Sequence, residues 1–166
     1  MKKTIIALVA VFGMALTANA QKFGHVDTQS IMQSLPEVTK TQGELQAIAQ
    51  QYDNELKAMQ DEIQKQADAY EKKQATMNET QRKAEETKLQ DLYTKMQQTA
   101  QQNQQDFQKK QEEKMQPILN KVRTAIQNVG KNGQYTYIFE AGVPVYVGTS
   151  SKEVTADVKA EINKLK

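Results

Sequence analysis

The sequence predicts a mainly helical α+β protein: a long antiparallel helical hairpin, a coiled-coil-like arm, carried on a small β head that self-associates. Three observations predict it. From Val38 to about Val129 the only helix breakers are Gly43 and Pro117, in a stretch rich in the good helix formers Gln, Lys, Glu and Ala. Strand-like pieces stand on both sides of that stretch, around Phe23 and between Tyr135 and Val147. As one rod, some ninety residues would span roughly 135 Å and strand the first β piece far from the others, whereas an isolated hairpin is marginal in water. A helix that folds back joins all the strands in one head.

The first twenty residues read as a cleavable secretory signal. Lys2 and Lys3 precede the apolar run Ile5 to Leu16, and Ala18-Asn19-Ala20 offers small residues for cleavage. That run is shorter than the roughly 20 residues a membrane span needs, so the expectation is an exported chain of residues 21–166. Of 22 basic residues, two belong to the signal; the remaining 20 balance 20 acidic ones. A nucleic-acid footprint would be a clustered basic excess, so no nucleic-acid partner is expected. Cysteine is absent, which excludes disulfides and thiolate chemistry.

Each element follows in order. Lys22 to Asp27 is a short strand, after which Asp27 caps a short helix to about Ser34. Pro36 suits the first turn of the long helix. The head is drawn from residues 21–37 and 129–166, and the arm from 38–128 with a bend near 78–86. Apolar residues in the arm recur about every seven positions. Leu45, Tyr52 and Met59 form one series, and Ala49, Leu56, Ile63, Tyr70, Met77 and Ala84 another. In the returning helix, Leu89 and Met96 form one series and Tyr93, Ala100 and Phe107 the other, and Met115, Ile118, Leu119, Val122, Ile126 and Val129 thicken the stripe. The seam thins between Lys72 and Lys88, where a solvent-exposed bend fits. "MQQTAQQNQQDFQKKQ", residues 96–111, carries eight glutamines and reads as helix surface.

Beyond the arm, Gly130 fits a helix stop and Asn132-Gly133 a turn. Tyr135–Phe139 and Val143–Val147 read as a β-hairpin around Glu140-Ala141-Gly142, with Pro144 placing the second strand at an edge. Ser150 and Glu153 form a capping box for a last helix whose Val154, Val158, Ile162 and Leu165 share a face. So small a head is at the lower limit of independent stability, which favours oligomers.

No catalytic constellation stands out, and no enzyme is expected. His25 is the only histidine and has no cysteine partner. Glu85-Glu86 and Glu112-Glu113 are adjacent on a helix and diverge. No glycine-rich phosphate loop precedes a helix, and no metal or cofactor is implied.

A first strand running into "VDTQSIMQSLP", the long Gln/Lys/Glu-rich excursion and the ending "YTYIFEAGVPVYVGTSSKEVTADVKAEINKLK" together resemble the Skp/OmpH family of periplasmic chaperones. The likeness covers essentially the whole mature chain, and its specific part is the tail. It implies a homotrimer whose β-barrel body is built from all three subunits. It further implies an ATP-independent holdase that binds unfolded outer-membrane protein precursors in a cavity between helical arms and prevents their aggregation. Candidates for the trimer head are Phe23, Val26, Tyr135, Tyr137, Phe139, Val145 and Val147. Candidates for client contact are Tyr52, Met59, Tyr70, Met77, Tyr93, Met96 and Phe107, whose plainer role is the contact between the two arm helices. The arm departs from the basic habit of the family: residues 38–128 hold 14 basic and 14 acidic groups, which argues against direct lipid or lipopolysaccharide binding. The alternative to a chaperone is a tethering coiled coil of the cell envelope, which would need an unbroken rod.

Overall fold

The computed structural model describes residues 21–165; the expected signal lies outside them. The elements are strand β1 (Phe23–Val26), helix α1 (Thr28–Ser34), helix α2 (Pro36–Lys73), a 3-10 turn (Gln74–Thr76), helix α3 (Glu79–Asn132), strands β2 (Tyr137–Glu140) and β3 (Lys152–Glu153), and helix α4 (Thr155–Ile162). Met32–Asn120 make one compact unit, the arm, and the described residues before and after it make the other, the head. No described helix is long and apolar enough to cross a membrane.

In the arm, α2 starts at Pro36, whose missing N–H costs nothing in a first helical turn. The chain reverses at 74–78, so only Asn78 falls within the expected 78–86 bend. The reason is local. Asn78 Oδ1 accepts the Gln81 N–H at 2.9 Å while the Asn78 N–H donates to Gln81 Oε1 at 3.0 Å. This reciprocal capping box starts α3 at once and leaves 79–86 helical. Around the reversal, every side chain from Glu71 to Ala84 except Met77 is exposed. The fold-back excludes the continuous rod of the tethering alternative.

In the head, β1 is the central strand, flanked by β2 and β3, both parallel to it. Partners so far apart in sequence suit parallel pairing, which requires long connections. Backbone bonds from Thr136 to Lys22 (2.8 Å), Ala141 to Val26 (2.7 Å) and Val154 to His25 (2.9 Å) extend the ladder. Alternation along β1 buries Gly24 and Val26 and leaves Phe23 and His25 half-buried on the other face. The core beneath holds Val26, Ile31, Val122, Ala125, Val154, Val158 and Ile162. Asp27 caps α1 as expected, its Oδ1 accepting the Ser30 N–H at 2.8 Å.

Three sequence expectations need correction here. The hairpin does not form: β2 pairs with β1, and Val143–Val147 is irregular. Gly142 turns the chain at φ 85°, and Pro144 has no N–H for a ladder. The long helix passes Gly130 and ends in a Schellman motif: Tyr135 N–H donates to Gly130 O (3.0 Å), Gln134 N–H donates to Lys131 O (3.2 Å), and Gln134 is left-handed at φ 55°. Finally, α4 starts at Thr155, and Ser150 is no cap; Glu153 Oε1 accepts the Thr155 N–H at 2.8 Å instead.

Candidate functional site

Two surfaces bear on function. The first is the open face of the head sheet. Register places Phe23 beside Tyr137 and His25 beside Phe139, so period-two geometry sends these side chains to one face. Phe23, Tyr137 and Phe139 form a cluster of three stacked rings with centroids 5.8–6.5 Å apart. The cluster is not covered: Tyr137 is 58% and Phe139 41% exposed. Beside it, Val143, Val145, Tyr146 and Val147 are exposed as well, Val145 fully. A cavity of about 300 Å³ opens between Phe23, Phe139, Val143, Pro144 and Tyr146. His25 lies at its edge, with Nδ1 3.0 Å from Ser151 Oγ.

Of the head candidates, Phe23, Tyr137, Phe139, Val145 and Val147 therefore lie on or beside this face. Val26 does not; it is 3% exposed in the core on the opposite side of β1. Tyr135 precedes β2, and its ring is wedged between Gly24 and Gly133. The Lys22 ammonium sits 4.2 Å over that ring and donates to Gly133 O at 2.8 Å. Val143 and Tyr146 were not among the candidates, although Val143 shares the period-two spacing of Val145 and Val147.

The second surface is the arm. A ladder of side-chain contacts joins α2 and α3. Lys114 Nζ donates to Glu44 Oε2 at 2.6 Å, the Tyr52 hydroxyl donates to Asp106 Oδ2, and Asn103 Nδ2 donates to Glu55 Oε2 at 3.0 Å. Each step forward on α2 is matched by an equal step back on α3, which fixes an antiparallel register. Nearer the reversal, Lys88 Nζ donates to Gln66 Oε1 at 3.1 Å and the Tyr70 hydroxyl donates to Glu86 Oε1 at 2.7 Å. The bond to Asp106 pushes the Tyr52 phenol up to about 12, and Tyr70 is raised by Glu86 in the same way. The hydrogen bond from Tyr52 lowers Asp106, and that from Lys114 lowers Glu44.

Most of the client candidates are thus committed to the seam. Tyr52 and Tyr70 use their hydroxyls across it, and Met59, Met96 and Phe107 are half-buried. Met77 lies at the reversal, half-buried. Tyr93 falls outside the seam at 46% exposure, while Leu92, absent from the expected series, is half-buried. The partners Glu44, Asp106 and Lys114 were missed because polar side chains at seam positions register as gaps in an apolar pattern. Among the described residues of the arm, only Tyr93 and Leu119 are large apolar side chains left exposed. No group of three or more His, Cys, Asp or Glu suited to a metal occurs among the described residues.

The profile of the family described as outer membrane protein (OmpH-like) matches residues 22–162. The chain belongs to the OmpH-like family. The match spans head and arm together, as the sequence resemblance implied. No curated protein matches in sequence. Among solved structures, the fold is similar to that of an OmpH-like protein from Caulobacter crescentus CB15, described as a candidate outer membrane chaperone. The TM-score is 0.76 at 16% identity, over 87% of this chain and 85% of that one.

Proposed function

We propose that this chain is an ATP-independent periplasmic holdase chaperone: a homotrimer whose heads close a β-barrel body and whose arms surround unfolded outer-membrane protein precursors. The observation that carries the reading is the uneven placement of apolar surface. The head leaves three stacked rings and the Val143–Val147 segment uncovered, an exposure that monomeric proteins rarely carry without a partner. The outer edge of β2 is also unpaired among the described residues, and such an edge accepts a strand from another chain. Self-association through this head would group the arms of several copies. Each arm is solvated and nearly free of exposed apolar side chains, so its individual contacts with a client would be weak, and several arms would add them as avidity. Family membership and the likeness to the Caulobacter protein support the same reading.

The test is light scattering. A urea-denatured β-barrel membrane protein is diluted into buffer without nucleotide, with and without an equimolar amount of assembled trimer. The expected result is suppressed scattering; full aggregation in the presence of a properly assembled trimer would refute the reading.

A further inference from the structure

The eight glutamines of residues 96–111 are all exposed, at 97, 98, 101, 102, 104, 105, 108 and 111. They differ from other glutamines of the arm. Gln50 donates to Asn54, Gln64 to Asp68 and Gln66 to Glu62, whereas none of these eight has a side-chain hydrogen bond among the described residues. Six of the eight have no carboxylate four residues away on the helix; Gln102 and Gln108, which have Asp106 and Glu112 at that spacing, are unbonded to them as well. Gln97, Gln101, Gln104, Gln108 and Gln111 are spaced four, three, four and three residues apart, so they form one stripe along the solvent side of α3.

The geometry points to this stripe as a hydrogen-bonding surface for the backbone of an extended, unfolded polypeptide. The inference rests on the holdase reading and gives the chemistry of its client contact. Each primary amide presents donors and an acceptor without charge, the same complement that a peptide group offers. The stripe is about 21 Å long, the length of roughly six residues of extended chain. Phosphate and lipid headgroups need charge, which the stripe lacks; an apolar ligand needs apolar area, which it also lacks. A backbone is common to every unfolded chain, so such a surface holds clients without reading their side chains. In water a single hydrogen bond of this kind is worth roughly two- to tenfold in affinity, which lets a client exchange.

The experiment compares the intact protein with the variant Gln97→Ala, Gln101→Ala, Gln104→Ala and Gln108→Ala. Alanine preserves the helix and adds apolar character, so contact through apolar surface predicts equal or tighter binding. The amide stripe predicts the reverse. The probe is a urea-denatured β-barrel membrane protein with a fluorescent label, titrated to obtain Kd; circular dichroism and native mass verify helix and assembly. The expected result is a Kd at least about tenfold weaker, with no change in the control Gln50→Ala, Gln64→Ala, whose glutamines already have partners. A quadruple variant that binds within twofold of the wild type, or a control that loses as much, overturns the inference and leaves the holdase reading standing. A wild-type protein that binds no client refutes that reading, and this inference with it.

Discussion

Gly133→Ala should destabilise the head through one side chain, Tyr135. A methyl group at position 133 would lie 2.4 and 2.7 Å from two carbons along one edge of the Tyr135 ring and 3.0 Å from Val129 O. The ring cannot simply retreat, because its opposite edge already lies against Gly24, where an added Cβ would be 3.1 and 3.2 Å away. Lys22 closes the stack from above at 4.2 Å. Overpacking against a side chain held on two edges costs about 1–3 kcal/mol, a large share of the stability of so small a core. The chain has no tryptophan, so tyrosine fluorescence during urea denaturation reports the change directly. Gly133→Ala should lower the midpoint, and Gly133→Ala combined with Tyr135→Ala should lose less than the two single changes added together. Equal stability of Gly133→Ala and wild type would refute the wedge, as would strict additivity.

Three further outcomes are expected. Ile63, 4% exposed in the seam, should cost about 2–5 kcal/mol when changed to Ala, whereas Tyr93→Ala should stay within about 0.5 kcal/mol; thermal melts of the helical signal compare them. Gln134→Gly should stabilise by about 0.5–1 kcal/mol, because glycine relieves the left-handed backbone at φ 55° at some cost in unfolded-chain entropy; urea midpoints test it. The arm ladder should weaken at both extremes of pH. Asp106 and Glu44 are held low, so their contribution is complete above the ordinary carboxylate range of about 4 and is lost as pH falls below it. Tyr52 is held high, so its contribution is complete below the ordinary phenol value of about 10 and is lost as pH rises through about 12. Labels on the two arm helices should separate in both windows, and Tyr52→Phe combined with Tyr70→Phe should remove the alkaline one.

Much of this fold was legible in the sequence because the helical signal is local and repeated. The helix formers between Val38 and Val129, Pro36 at a helix start and Asp27 as a cap each act within a few residues of themselves. The reversal was also written locally, in Asn78 and Gln81, but thinning of the seam is a blunter sign than a capping box and placed the bend late. The second arm helix was read through Tyr93 because Leu92 is followed at seven-residue spacing by Thr99 and Asp106. Those polar members belong to the seam, since Asp106 receives the Tyr52 hydroxyl, yet no hydrophobic pattern reveals them. The head was the hardest part. Val143–Val147 has the alternation of a strand, but Pro144 has no N–H to give a ladder, and the segment is irregular although the outer edge of β2 is unpaired among the described residues. The parallel pairing of residues 23–26 with 137–140 spans more than a hundred residues and leaves no local trace. The exposed rings of the candidate site were named from their residue types alone; that they share a face follows from this register.

Native mass spectrometry of residues 21–166 mixed with one urea-denatured β-barrel membrane protein, diluted without nucleotide, tests the central claim most directly. The account predicts a single dominant complex of three chains and one client. A client found aggregated beside free trimer, or bound to single chains, would contradict it.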